Sequence, residues 1–412
     1  MQFDVVVIGA GPAGTVAAAL LEAKAYRVQI IEKQHFPRFS IGESLLPYCM
    51  EFLEEAGLLE AVKAAASEHH FQFKNGAAFV RGEKYSDFDF QRKFSEGPGT
   101  TYQVQRASFD HVLAKEVEAR GVGISWGHEV ISVDLDGDNP VVGAKDEEGN
   151  EYSITTSFVF DASGFGRVLP RLLELDRPSN FPSRTSLFTH IEDNFPSNEF
   201  DREKIRVTVH HQHQDVWFWL IPFSNGRCSL GVVAKSDYFE QFDSSDPQAC
   251  LRQIIDDEPS LKELLRHANF DTPARMITGY SSDVSRLWGD GFALLGNAGE
   301  FLDPVFSSGV TIAMKSASLA VEVLDKQLKG QQVDWQAEYA EPLSAGVNTF
   351  RVFVEAWYDG RFQDIIFAEN KSTKIEEMIS SILAGYAWDE ANPYVKESER
   401  RMNTLAELCR LS

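Results

Sequence analysis

The chain opens on an apolar run, Phe3 then Val5-Val6-Val7-Ile8, broken only by Asp4. Unbroken apolarity, rather than alternation, predicts a strand from Phe3 to Ile8 covered on both faces, as in a parallel sheet. Gly9-Ala10-Gly11-Pro12-Ala13-Gly14 follows, Thr15 to Ala25 reads as an Ala/Leu-rich helix, and Val28-Gln29-Ile30-Ile31-Glu32 supplies a second strand ending in an acid. A later stretch, Trp217-Phe218-Trp219-Leu220-Ile221-Pro222, is apolar throughout. A period of two puts Trp217, Trp219 and Ile221 on one face and Phe218 and Leu220 on the other, so this strand is predicted to be buried on both sides until Pro222 ends it. Taken alone, such a run predicts only core packing. Val310, Ala313, Met314, Ala317, Val321 and Leu324 recur at helical spacing and predict a packed helix starting near Gly309. Helices are also expected from Pro47 to about Ala66 and after a Ser108 cap. Residues 331–412, rich in helix formers and aromatics such as Trp335, Phe350, Phe353, Trp357, Tyr358 and Trp388, are expected to form a helical cap.

Composition narrows the class. With 412 residues the chain can bury a large core. It carries 39 Lys+Arg against 62 Asp+Glu, a net charge of −23, which argues against nucleic acid and anionic membrane surfaces as partners. Cys49, Cys228, Cys250 and Cys409 are widely spaced, with no CxxC pair, as expected of reduced thiols. No basic leader precedes the first strand, and no apolar run approaches the roughly 20 residues of a membrane helix. The expectation is a cytoplasmic protein without an integral membrane segment.

The strand–glycine–helix–strand unit is the first element with chemistry. Gly9 suits a tight turn, Gly11 lets the backbone approach a pyrophosphate, Gly14 lets the helix close on the sheet, and Glu32 stands where a ribose hydroxyl is accepted. The unit predicts a dinucleotide site without separating FAD from NAD. Other candidates lead nowhere comparable. His210-His211-Gln212-His213 falls at an expected hairpin tip with Asp215 and reads as a solvated turn, so no metal site is predicted. Glu54-Glu55 and Asp256-Asp257-Glu258 read as exposed helix faces. No GxSxG nucleophile elbow is present.

Further segments carry a resemblance. Arg38-Phe39-Ser40-Ile41-Gly42-Glu43-Ser44, Arg106, Phe160-Asp161-Ala162-Ser163-Gly164 and Gly289 through Ala298, with Asp303 after it, resemble the glutathione-reductase-like flavoproteins. The resemblance implies an α/β fold: an FAD-binding Rossmann domain, an inserted β-sheet substrate domain and a C-terminal helical region. It implies FAD contacts from Gly9, Gly11, Ala13, Gly14, Glu32, Lys33, Arg38, Ser40, Gly42, Glu43, Ser44, Arg106, Ala162, Gly164, Gly296, Asn297, Asp303, Pro304, Gly309 and Val310. The helix starting near Gly309 would aim its positive end at the isoalloxazine. Asn297 stands where that family usually has Asp, keeping hydrogen-bonding reach without the charge.

Within this superfamily the chain is similar to the flavin-dependent halogenases. Trp217-x-Trp219-x-Ile221-Pro222 matches their WxWxIP pattern, and Phe301-Leu302-Asp303-Pro304-Val305-Phe306-Ser307-Ser308-Gly309 matches FxxPxxSxG. Phe71 through Phe79 resembles the segment with their active-site lysine, here Lys74. The resemblance implies that reduced FAD and dioxygen oxidise a chloride or bromide ion held by the Ser308 and Gly309 amides. Hypohalous acid would pass Trp217 and Trp219 to Lys74, placed in a strand with Gly76, Ala78 and Val80 on the same face. Tryptophan-type members have a glutamate where this chain has Phe306, so the likeness is to the branch acting on phenols and pyrroles, often tethered to a carrier protein, with a separate flavin reductase. That branch commonly has His-Leu where Thr311-Ile312 stands. Three alternatives share this architecture: an aromatic monooxygenase, a geranylgeranyl-reductase-like dehydrogenase (which Gly296-Asn297-Ala298-Gly299-Glu300-Phe301 fits equally well), and a non-catalytic flavin-binding protein. The expected division gives residues 1–70, 101–182 and 275–330 to the FAD domain, 71–100 and 183–274 to the substrate sheet, and 331–412 to the cap.

Overall fold

The first apolar run is the centre of a parallel sheet in the computed structural model, which describes residues 3–195, 200–242 and 245–411. Phe3–Ile8 pairs in parallel with Val28–Glu32 on one side and Glu151–Asp161 on the other. Gly123–Trp126 and Phe292–Leu294 extend the sheet in the same sense, and Trp288–Gly289 closes one edge antiparallel. Val5, Val6 and Val7 are fully buried, because helices Pro12–Ala23 and Gly309–Leu328 cover one face and the hairpin of Glu129–Asp134 and Val141–Lys145 covers the other. A seven-stranded sheet forms the second layer system, in the order Arg275–Thr278, Arg184–Glu192, Arg227–Lys235, Trp217–Pro222, Lys204–Val209, Gly76–Arg81, Lys84–Asp89. Arg275–Thr278 therefore belongs to this sheet and not to the flavin-binding one.

The Trp217–Pro222 strand lies inside the second sheet, every residue buried. Trp217, Trp219 and Ile221 join the main core, while Phe218 and Leu220 face a separate core under helix Pro247–Asp257. Trp219 lies opposite Gly231, where a Cβ would meet the indole at 2.3 Å. Only glycine leaves room for that ring.

Several expectations are corrected. Lys74 does not share a strand with Gly76, Ala78 and Val80. Gln72–Lys74 pairs with Thr101–Gln103, and the chain crosses at Asn75 before Gly76–Arg81 enters the large sheet. The segment before Ala66 splits into Cys49–Glu55 and Leu59–Ala65, with Gly57 at φ 66° between them. The later helix, Arg106–Ala119, starts at Arg106 itself, so Ser108 lies in its first turn and not at its cap.

His210 is fully buried at the hairpin tip, and Glu258 is fully buried at the start of helix Pro259–Leu264, so neither is a solvated surface group. His210 Nδ1 accepts the Gln212 and His213 N–H groups, its Nε2–H points at Asp257, and Glu258 accepts from His211. Although His210, His211 and Glu258 bring ligand atoms within 4.8 Å of one another, this tautomer leaves His210 no lone pair for a cation. The cluster clamps the hairpin to the helix junction. Burial also pulls the His210 pKa down and keeps the ring neutral.

The C-terminal region is helical, with Glu341–Tyr358, Arg361–Ile366, Thr373–Leu383 and Ser398–Leu411 as its main members. Trp357 sets its edge against Trp217, ring centroids 6.4 Å apart, and joins the cap to the large sheet. None of the four cysteines forms a disulfide among the described residues. Among the described residues no helix is long and apolar enough to cross a membrane.

Candidate flavin site

The carboxyl ends of the parallel strands open into a cavity of about 640 Å³ that runs to the Trp217–Pro222 strand. At one end the glycine turn does what its spacing demands. A Cβ on Gly9 would lie 2.7 Å from Ala162 O, and one on Gly14 would lie 2.0 Å from Gly9 O, so both glycines permit close packing. Gly11 differs: its nearest neighbour is the Arg38 guanidinium at 3.8 Å, and the open space faces the cavity. Glu32 accepts the Ala10 N–H at 2.8 Å and the Gln34 N–H at 2.9 Å, which fixes its carboxylate on the wall. A bare backbone at Gly11, an N-terminal helix end and an anchored acid fit the pyrophosphate and ribose of FAD. Lys33 reaches the mouth of this end and bonds Glu129.

Ser40, Ile41, Gly42, Glu43 and Ser44 line the middle of the cavity, with Arg38 and Arg106 beneath them. Both arginines converge on one carboxylate: Arg38 Nη1 lies 3.0 Å from Asp110 Oδ2, and Arg106 reaches Asp110 through Nε and Nη2 at 2.7 and 2.9 Å. Arg106 Nη1 also holds Ile41 O at 2.8 Å. Ala162 and Gly164 line the opposite side, as do Asn297, Pro304, Gly309 and Val310.

At the far end stand Trp217, Trp219 and Ile221, facing the loop that precedes helix Gly309–Leu328. The residue of the predicted halide pair that reaches this wall is Gly309. Ser308 is buried behind it, and Ser307, held at φ 56°, takes its place at the surface of the cavity. Ala13 lines the cavity, whereas Gly14, Gly296 and Asp303 stand behind its wall. Asp303 is 2 % exposed; its Oδ2 accepts the Tyr358 hydroxyl at 2.9 Å, and Tyr358 in turn accepts Trp217 Nε1–H at 3.0 Å. Burial pushes the Asp303 carboxyl up to about 6. Lys74 also lies behind the wall, fully buried, with Nζ donating to Ser44 Oγ and Leu45 O at 2.8 Å each. Desolvation pulls its ammonium down to about 7.

Sequence reasoning missed Asp110, whose only signal is its spacing four residues after Arg106 on one helix face. It also missed His190, which bonds Glu43 from the large sheet. No local pattern marks that histidine.

Comparison with known proteins agrees with this geometry. The pattern of the FAD binding domain family matches residues 2–342. A flavoprotein/dehydrogenase from Cytophaga hutchinsonii is 45% identical, with a TM-score of 0.95 over 100% of this chain and 99% of that one. The tryptophan 2-halogenase of Chondromyces crocatus is 29% identical over 333 residues, 79% of this chain; the match spans 62% of that protein, less than two thirds of its length. The 1H-pyrrole-2-carbonyl-[peptidyl-carrier protein] brominase of Pseudoalteromonas luteoviolacea is 28% identical over 82% of this chain and 80% of its own. The chain belongs to the FAD binding domain family, and FAD is its cofactor. It is an FAD-dependent oxidoreductase, and its relatives include flavin-dependent halogenases at 26–29% identity.

Proposed function

We propose that the protein halogenates an electron-rich aromatic ring of the phenol or pyrrole type, using reduced FAD, dioxygen and chloride or bromide. The observation that carries this reading is the end wall of the flavin cavity, where Trp217, Trp219 and Ile221 face Pro304, Ser307 and Gly309, with the Lys74 amine buried behind Ser44. When bound, reduced FAD supplies the two electrons with which dioxygen oxidises the halide to hypohalous acid. The chain's own residues do the rest. The Gly309 amide, at the N-terminus of a 20-residue helix, favours an anion at the wall. The paired indoles keep an organic substrate from touching the flavin, which disfavours direct hydroxylation. Lys74, with a pKa of about 7, keeps a substantial fraction of neutral amine near neutrality, and a neutral amine can hold the oxidant by hydrogen bonding or take the halogen on nitrogen. The substrate side is assigned to the seven-stranded sheet and the helical cap, and the substrate to a ring that a carrier protein can present, as the name of the pyrrole brominase relative states for that protein. Reduction is assigned to a separate flavin reductase.

A second reading, a dehydrogenase, is favoured by the 45% identity to a protein described as a flavoprotein/dehydrogenase. Phe306, packed at 5.4–6.4 Å against Phe353, Trp357 and Phe362, fills space on the same side. The assay supplies FAD, a flavin reductase, bromide or chloride, and a panel of phenols, indoles and pyrroles. The expected result is halogenated product that is lost in Lys74→Ala while FAD still binds. Oxygenated product, or halide-independent turnover in which Lys74 is dispensable, overturns the reading in favour of the alternatives.

A further inference from the structure

Oxidising a halide consumes a proton. The balance is FADH2 + O2 + X− + H+ → FAD + HOX + H2O, followed by ArH + HOX → ArX + H2O. Without that proton the same electrons end in hydrogen peroxide, FADH2 + O2 → FAD + H2O2, and the halide is untouched. A proton donor on the cavity wall therefore decides between product and peroxide.

The wall offers few candidates. Its arginines do not release protons near neutrality. Glu32 is pinned by two backbone N–H groups at the end where the first helix begins, Lys33 and Glu129 pair at the mouth beyond it, and His128, their neighbour on the wall, has its Nδ1 bonded to the Tyr152 hydroxyl at 2.7 Å. Lys74 stands behind Ser44 with two of its hydrogens already donated.

Glu43 is different. It lies on the wall yet is 1 % exposed, and His190 Nε2 sits 2.9 and 3.1 Å from its two carboxylate oxygens. Among the described residues no other hydrogen bond to that carboxylate is formed. The flanking residues fix where it stands: a Cβ on Gly42 would lie 4.0 Å from Val310 Cγ2 at the start of the long helix, and Ser44 holds Lys74. Glu43 thus lies in the middle stretch of the wall, between a residue that meets the helix N-terminus and one that holds the lysine. His190 comes from strand Arg184–Glu192, its ring set between Phe39 and Phe223, and its side chain is 17% exposed. His190 Nε2 within hydrogen-bond reach of both carboxylate oxygens gives a direct path for a proton between the ring and the carboxyl group.

We propose that Glu43 and His190 supply the proton for halide oxidation, Glu43 delivering it at the cavity wall and His190 replacing it from the solvent side. Glu43 is then a catalytic residue, and His190 is a positioning residue that acts through it. This inference rests on the halogenase reading and deepens it.

The test counts brominated product and hydrogen peroxide per FADH2 consumed, and separately measures FAD binding by fluorescence. His190→Gln keeps an N–H for Glu43 but cannot relay a proton, and Glu43→Gln removes the donor. Both variants, assayed at saturating FAD, are expected to move the product-to-peroxide ratio toward peroxide by about tenfold or more, and His190→Gln is expected to keep the FAD dissociation constant within about threefold of wild type. Added imidazole is expected to restore product in His190→Ala. Wild-type bromination with an unchanged ratio in both glutamine variants overturns the proton donor alone. No brominated product from wild type on any ring, with FAD bound, overturns the halogenase reading and the proton donor together.

Discussion

Lys74 is the residue whose environment departs furthest from its type. A lysine with no exposed surface has its cationic form penalised, and its pKa falls to about 7. Between that value and the ordinary lysine range the unfolded chain binds the proton that the folded chain has released. Stability therefore rises with pH over this window, and the penalty is largest below about 7. Between pH 7 and 9 the residue is expected to add about 2 kcal/mol to the unfolding free energy. Lys74→Met should lack that gain, which urea unfolding at the two pH values would measure; equal pH slopes in the two proteins would sink the assignment. Legibility at this scale was uneven. The glycine turn, Glu32, Arg38 and Arg106 could be read because local spacing fixes them. Glu43 could be read, but not its partner: His190 is 147 positions away, and only the packing of two sheets brings it near.

Elements were legible where one period ruled them. The Trp217–Pro222 strand is apolar on both faces and is buried on both, each face in its own core. The Lys74 segment was misread because a continuous apolar alternation hid a change of partner. Asn75 donates to Glu203 O at 2.8 Å and its carbonyl accepts from Phe90 at 2.7 Å, so the chain leaves one sheet and enters another within a residue. Long-range pairing of this kind has no signature in hydropathy. The tryptophan strand also depends on its neighbour. Since a Cβ at position 231 would press on the Trp219 indole at 2.3 Å, Gly231→Ala should tilt that ring and cost about 1–3 kcal/mol. Denaturation with tryptophan fluorescence would read both effects, and a wild-type spectrum with wild-type stability would count against the tight fit.

At the scale of the whole molecule, Tyr358 ties three regions together. It lies at the end of a cap helix, accepts from Trp217 in the large sheet, donates to Asp303 in the flavin loop, and carries the Arg184 guanidinium over its ring at 3.3 Å. Tyr358→Phe leaves a buried indole N–H and a buried carboxyl each short of a partner, so about 1–3 kcal/mol of stability should be lost. FAD should also bind less tightly as the Asp303–Pro304 loop loosens. Thermal unfolding with and without FAD would show whether the cap and the flavin loop still melt as one unit. The other device of this kind is the carboxylate that Arg38 and Arg106 share. Two cations against one anion leave a single positive charge beneath the pyrophosphate position, already locked in place by Asp110. The pocket therefore does not need the cofactor's phosphates to hold its arginines apart. Folding and flavin loading can then be separate events, because the charge that receives the phosphates is set by the protein's own ion pairs.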